Sequence, residues 1–139
     1  MSKLPILFSI VIPTYNCLPF LKKAIKSVLL QTEQNFEILI IDNSSDDGTK
    51  EYLRDLDDSR IHSFEVQNYG VIAFSRNTGI KKAKGSWVCF LDADDIWYKE
   101  KLTICKEYIN DEVDVIYHDL LKYGKVNFLE RKILSGRKL

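Results

Sequence analysis

Residues 87–95 read Trp-Val-Cys-Phe-Leu-Asp-Ala-Asp-Asp, an apolar run that passes directly into three carboxylates within four positions. The apolar half, opened by Gly85, predicts a strand buried on both faces. Its C-terminal end brings Asp92, Asp94 and Asp95 to one spot, where they repel one another unless a cation lies between them or one holds a proton. Oxygen-only donors suit Mg²⁺ or Mn²⁺ better than zinc, which favours His and Cys. The same tract also reads as a solvated acidic turn capping the helix that follows. Spacing alone does not separate the two readings.

The elements that would position these carboxylates follow from periodicity. Leu7 to Ile12 is a continuous apolar strand, with Pro13 as its predicted stop. From Pro19 to Gln31 the residues Phe20, Leu21, Ala24, Ile25, Val28 and Leu29 recur at helical spacing, with Lys22, Lys23 and Lys26 opposite and Pro19 suited to the first turn. Phe36 to Ile41 is a second buried strand ending at Asp42, and a short helix carrying Tyr52, Leu53 and Leu56 follows. Ile61 to Val66 is a third strand. A helix over about residues 71–83 is expected to end at Gly85 as a C′ glycine. After the acidic strand come a helix through Leu102, Cys105, Tyr108 and Ile109 and a fifth strand, Val113 to Tyr117.

Such alternation predicts an α/β fold, a mostly parallel sheet with helices on both faces. Ligands of such sheets bind beyond the strand C-terminal ends. The clusters Thr14-Tyr15-Asn16, Asp42-Asn43-Ser44 and Asp92-Ala93-Asp94 all fall at those ends, so three strands aim polar groups at one rim.

Composition limits the partners. Lys plus Arg number 20 and Asp plus Glu number 20 in 139 residues, so no global field points to nucleic acid or to a membrane. No apolar stretch approaches a membrane span, and the N-terminus lacks a signal-peptide core. Cys17, Cys89 and Cys105 are odd in number and widely spaced, which suggests neither a disulfide framework nor a zinc knuckle and fits a reducing cytoplasm. His62 and His118 read as structural or surface residues. Residues 122–139 carry Lys122, Lys125, Arg131, Lys132, Arg137 and Lys138 against the single acid Glu130. This basic segment, set apart from a domain over 1–121, reads as a solvated end or as a peripheral contact with the cytoplasmic face of a membrane.

Taken in order, Ser9-Ile10-Val11-Ile12-Pro13-Thr14-Tyr15-Asn16, Ile40 to Thr49, Asn68-Tyr69-Gly70, Ser75 to Ile80, and Lys84-Gly85-Ser86-Trp87 leading to Phe90–Asp95 resemble glycosyltransferase family 2. The resemblance covers about residues 6–119. It implies the GT-A (nucleotide-diphospho-sugar transferase) fold and transfer of a sugar from a nucleotide-diphosphate donor to a glycan or lipid-linked acceptor. It implies donor-nucleotide contacts at Pro13, Thr14, Tyr15, Asn16, Asp42, Asn43, Ser44, Arg76, Asp92 and Ala93, and a Mn²⁺ or Mg²⁺ site at Asp94 and Asp92. Asp95 is expected beside that site or as a helix cap, and Asn68 and Gly70 as loop-shaping residues. Arg76 is expected near the nucleotide or in an ion pair with a local Asp.

Two departures from the family pattern matter. Asn43 stands where many members carry an acid that reads the imide of uracil, so a UDP-sugar is the default donor and a dTDP-sugar an alternative. The general base of an inverting transfer is expected beyond the end of this chain; Asp119 and Glu130 are the only acids after the fifth strand and neither is nominated. The chain therefore reads as the donor-binding part of a transferase, with a nucleotide-sugar-binding remnant that does not turn over as the alternative. An aspartate-nucleophile phosphatase is more distant, because its acidic motif follows the first strand of its core. Phe128, Leu129, Ile133 and Leu134 lack an evident domain to cover them, which predicts a homodimer contact near the C-terminus.

Overall fold

The computed structural model describes residues 5–118 and, for backbone only, 134–137. Asp119, Lys122, Lys125, Phe128, Leu129, Glu130, Arg131, Lys132, Ile133 and Lys138 lie outside the described residues, as do the side chains of Leu134 and Arg137. The elements run β1 (Phe8–Thr14), α1 (Leu18–Leu29), β2 (Phe36–Asp42), α2 (Thr49–Arg54), β3 (Ile61–Glu65), α3 (Ile72–Lys82), β4 (Trp87–Phe90), α4 (Lys101–Glu107), β5 (Val113–Tyr117) and β6 (Leu134–Arg137). A four-stranded sheet has the order β3-β2-β1-β4 with every pairing parallel.

Alternate residues of the central strands feed two apolar layers. Phe8, Ile10 and Ile12 of β1 and Phe36, Ile38 and Ile40 of β2 pack with Leu21, Ala24, Ile25 and Val28 of α1, Leu53 of α2 and Leu102 of α4. Val11, Leu39 and Ile41 point the other way, beside Phe64, Ala83 and Val88 under α3. Helices thus cover both faces, as the alternation of elements predicts. Each buried Leu or Ile side chain contributes about 1.5–3 kcal/mol by leaving water.

Three local expectations are corrected. β1 runs through Pro13 to Thr14. Leu91 N donates to Val11 O (3.1 Å) and Asn43 N donates to Thr14 O (2.9 Å), so Pro13 shares Val11's side, past the last residue of β4. No ladder bond is lost there, and the missing N–H is harmless. Gly85 is not a helix terminator either. α3 ends at Lys82 with Ala83 as C-cap, and Gly85 is needed because a Cβ would stand 2.7 Å from Ser9 N and 2.8 Å from the Phe8 carbonyl carbon. Finally, among the described residues β4 is an edge of the sheet and only half-buried, and Phe90 is 46% exposed. The strands buried throughout are β1 and β2.

The expected fifth strand forms, but it pairs antiparallel with β6 in a separate two-stranded sheet. Its alternation is weak, with Val115 and Tyr117 exposed, so its pattern did not specify a place in the parallel sheet.

Candidate active site at the strand ends

The register places Thr14 beside Asp42 and Val11 beside Phe90. Asp92 therefore stands two strand spacings from Asp42, about 10 Å across the rim. The strand-end clusters meet there, as the order of elements predicts.

A chain of hydrogen bonds joins them. Asn43 N donates to Thr14 O, and Asn43 Oδ1 accepts from Asn68 N (2.7 Å). Asn68 is buried; its Nδ2 donates to Ser75 Oγ (3.0 Å) and its Oδ1 accepts from Gly70 N (2.9 Å). This Asx turn sets the start of α3, and Asn68 and Gly70 shape the loop as expected. One residue beyond Ser75, Arg76 Nη2 donates to Asp92 Oδ1 (2.6 Å). Both partners keep substantial solvent contact, so this pair adds about 0–1 kcal/mol to stability. It orients the two side chains, and the local-ion-pair reading of Arg76 is the one this structure displays.

The first rim loop is held in an uncommon backbone. Asn16, Ser44 and Tyr69 have φ of 44°, 54° and 52°, and they are the only non-glycine residues with positive φ among the described residues. All three lie in rim loops, where such conformations cost up to about 1–3 kcal/mol each and persist only if their surroundings enforce them. Asn16 N donates to Ser45 Oγ (2.9 Å) and Asn16 Oδ1 accepts from Asp46 N (2.9 Å). Ser44 Oγ donates to Glu65 Oε1 (3.0 Å) or Val66 O (3.1 Å).

The predicted residues divide by accessibility. Tyr15, Asn16 and Asp94 are exposed, and Asn43, Ser44, Arg76 and Asp92 are half-buried. Pro13, Thr14, Asp42 and Ala93 are buried. Asp42 accepts from Ser45 N and Ser45 Oγ, which makes it an organiser of its loop in this structure. The Thr14 hydroxyl lies 3.2 Å from Cys17 Sγ, and Ala93 belongs to the apolar layer under α1.

One residue within the Ile40–Thr49 motif that was given no site role proves structural to the site. Asp47 Oδ2 accepts from Leu18 N (2.8 Å), capping α1 from another loop, because its own N-cap residue, Cys17, makes no side-chain cap bond. The Thr49 hydroxyl on Asp47 is the main cause holding that carboxyl below its usual range. The Asp-x-Thr spacing signals a local turn, but nothing in sequence links Asp47 to residue 18.

Asp95 is not a helix cap. Its N–H donates to Asp92 O in a tight turn, and α4 begins later, with Glu100 at its N-cap. Partial burial lifts the Asp95 carboxyl above the usual range, with repulsion from Asp94 and Asp92 adding to it. Below the unfolded carboxyl pKa of about 4, both folded and unfolded chains hold this proton. As pH rises, the unfolded chain ionises first, so the native state loses stability until pH passes the raised folded value. Asp95→Asn is expected to raise Tm by about 1–2 °C at pH 7 and to leave it unchanged near pH 3, by scanning calorimetry. A lower Tm at pH 7 would contradict the repulsion.

Among the described residues, no three His, Cys, Asp or Glu side chains converge as a ready-made metal cage. Mg²⁺ and Mn²⁺ do not need one, since one or two carboxylates suffice when phosphate and water complete the shell. Exposed Asp94 and the unpaired oxygen of Asp92 have the right donor chemistry, and the mutual repulsion at Asp92–Asp95 is what a cation would relieve.

The Glycosyl transferase family 2 profile matches residues 9–137. An uncharacterised glycosyltransferase of Rickettsia conorii is 42% identical over 120 residues, which are 86% of this chain and 19% of that protein. The UDP-Glc:alpha-D-GlcNAc-diphosphoundecaprenol beta-1,3-glucosyltransferase WfgD of Escherichia coli is 41% identical over 69% of this chain and 38% of its own length. The crystal structure of S. aureus TarS 1–349 in complex with UDP-GlcNAc aligns with a TM-score of 0.65 at 26% identity, over 73% of this chain and 30% of that one. The chain spans less than half the length of each of these three proteins.

Proposed function

Because the chain belongs to glycosyltransferase family 2 and carries a GT-A-type parallel sheet, we propose that its rim binds a nucleotide-diphospho-sugar for transfer to a glycan or lipid-linked acceptor by the whole protein. The observation that carries this reading is the bonded rim from Thr14 through Asn43, Asn68 and Ser75 to the Arg76–Asp92 pair. It collects ring, amide and carboxylate groups at the ends of three adjacent strands, and the Arg76 guanidinium from α3, at one edge. The lipid-linked acceptor is supported by the diphosphoundecaprenol substrate in the name of the E. coli relative.

Each exposed group has a task in this reading. Tyr15, 58% exposed, offers a ring face for base stacking. Asn43 Oδ1 is committed to Asn68 N, so its amide Nδ2 is the donor left for a base carbonyl. That suits O4 of uracil or thymine and keeps a UDP-sugar as the default donor. In the transfer, the acceptor oxygen bonds to the anomeric carbon, the bond to the diphosphate oxygen breaks, and the acceptor proton passes to a base. Negative charge builds on the leaving diphosphate, and in this reading the Arg76 guanidinium stabilises it. A Mn²⁺ or Mg²⁺ ion held by Asp94 and Asp92 would supply Lewis-acid stabilisation of the same charge.

Calorimetric titration with UDP, dTDP, GDP and CDP tests this, with Mn²⁺ or with chelator. UDP is expected to bind at least about tenfold tighter with Mn²⁺, a difference of about 1.4 kcal/mol. Asp94→Ala is expected to remove most of that metal dependence. No binding of any of the four nucleotides, or equal affinity with and without metal, would refute the reading.

A further inference from the structure

The solvent side of α1 differs from an ordinary polar helix face. Its buried stripe is Leu21, Ala24, Ile25 and Val28, and the helix contains no acidic residue. Facing outward are Phe20, Lys23, Lys26 and Leu30, with Phe20 52% and Leu30 61% exposed. Lys22 turns aside, onto the Tyr52 ring at 4.8 Å, whereas Lys23 lies over the Phe20 ring at 5.8 Å.

The loop between β4 and α4 extends this face. Trp97 N donates to Ser27 Oγ (3.1 Å), Gln31 Nε2 donates to Tyr98 O (2.7 Å), and Thr32 N donates to Lys99 O (2.8 Å). The loop thereby sets Ile96, itself 61% exposed, beside α1. Between them is an open groove of about 280 Å³ lined by Lys23, Lys26, Leu30, Ile96, Trp97 and Lys99. Of the acids flanking the face, Glu100 pairs with Lys99 at 3.4 Å and Glu33 with Lys106 at 2.5 Å, while exposed Asp95 adjoins Ile96 in the chain.

We propose that this face seats on an anionic lipid bilayer. Phe20, Leu30 and Ile96 enter the headgroup–acyl boundary, and Lys23, Lys26 and Lys99 reach lipid phosphates. Charge complementarity selects this occupant. Protein–protein interface centres are depleted in lysine, whereas exposed apolar side chains flanked by lysines combine the two attractions, apolar burial and charge, that hold a segment at an anionic membrane interface. Lysine stems also cover apolar surface while their ammonium groups stay at headgroup level. α1 starts just past β1, so a bilayer on this face lies next to the rim that holds Tyr15 and Asn16. This seating goes beyond the donor-binding reading, and vesicle binding needs neither nucleotide nor metal, so the two can fail separately.

Flotation of the full chain with vesicles tests it. Binding is expected to phosphatidylcholine vesicles containing phosphatidylglycerol, not to phosphatidylcholine alone, and is expected to weaken at high salt. The variant Lys23→Gln/Lys26→Gln/Lys99→Gln is expected to partition about 100-fold less, since each lysine near an anionic surface contributes roughly fivefold. Leu30→Ser/Ile96→Ser should also lose binding, while Lys81→Gln/Lys82→Gln/Lys84→Gln, near the end of α3, should retain it. All substituted positions are solvent-facing, and melting by circular dichroism confirms that each variant folds. No binding to anionic vesicles, binding that survives the first variant, or equal loss in the α3 variant overturns the proposal. So would displacement by soluble polyglutamate at matched charge, which would assign the face to an acidic protein.

Discussion

Glu37→Ala should lower the free energy of unfolding by about 3 kcal/mol, measured by urea denaturation. Glu37 is 1% exposed, and its Oε1 accepts from Ser9 Oγ (2.6 Å) and Lys84 N (2.7 Å), while Ser9 Oγ accepts from Gly85 N (2.8 Å). One carboxylate oxygen thus ties β2 to β1 and to the turn between α3 and β4. Alanine would strand the Ser9 hydroxyl and the Lys84 amide and leave a cavity besides. Glu37→Gln keeps the Oε1 acceptor and should cost under about 1 kcal/mol. Oε2 makes no hydrogen bond, and His62 Nε2 lies 3.9 Å from it. A small loss in Glu37→Ala would mean that water replaces the carboxylate; an equally large loss in Glu37→Gln would shift the credit from the hydrogen bonds to the charge near His62.

Gly79→Ala is the second large effect, and its sign opposes helix propensity. In an exposed helix interior, replacing glycine by alanine stabilises by about 1 kcal/mol. Here the new Cβ would stand 2.3 Å from Val11 Cγ1 and 2.7 Å from Cγ2, and Val11 is fully buried on the central strand. Neither side can yield, so α3 must lift, at a cost of about 1–3 kcal/mol. Arg76 sits one turn earlier on the same helix, so its 2.6 Å bond to Asp92 should be lost as well. Nucleotide affinity is expected to fall about tenfold or more. Val11→Ala in the Gly79→Ala background removes the obstructing methyls and should recover part of both losses, giving a measurable coupling in the double-mutant cycle. A Gly79→Ala protein more stable than the parent would show that α3 does not depend on this close approach.

Much of the site's layout was legible because it is local. Thr14-Tyr15-Asn16, Asp42-Asn43-Ser44 and Asp92-Ala93-Asp94 each follow an apolar run directly, so each had to lie at a strand end. Parallel alternation then brings those ends to one rim. What each side chain does there was less legible. Asp42 and Thr14 carry the right chemistry but are buried at their strand ends, where they bond to Ser45 and Cys17 of the loops that follow. Asp92 carries a ligand's carboxylate and is met by Arg76 from a helix sixteen residues earlier.

The amino-acid sequence by itself determined the class of fold, the order of elements and the identity of the rim, since periodicity and turn residues act within a few positions. Tertiary structure alone decided which strand lies at the edge and why Pro13 and Gly85 are tolerated where they stand. It also decided that Asp47 caps a helix 29 positions away and that Glu37 joins residues 28 and 47 positions distant. Periodicity states which face of an element is apolar, but not which element will cover it. A buried polar group finds its partner only when the whole sheet has closed around it.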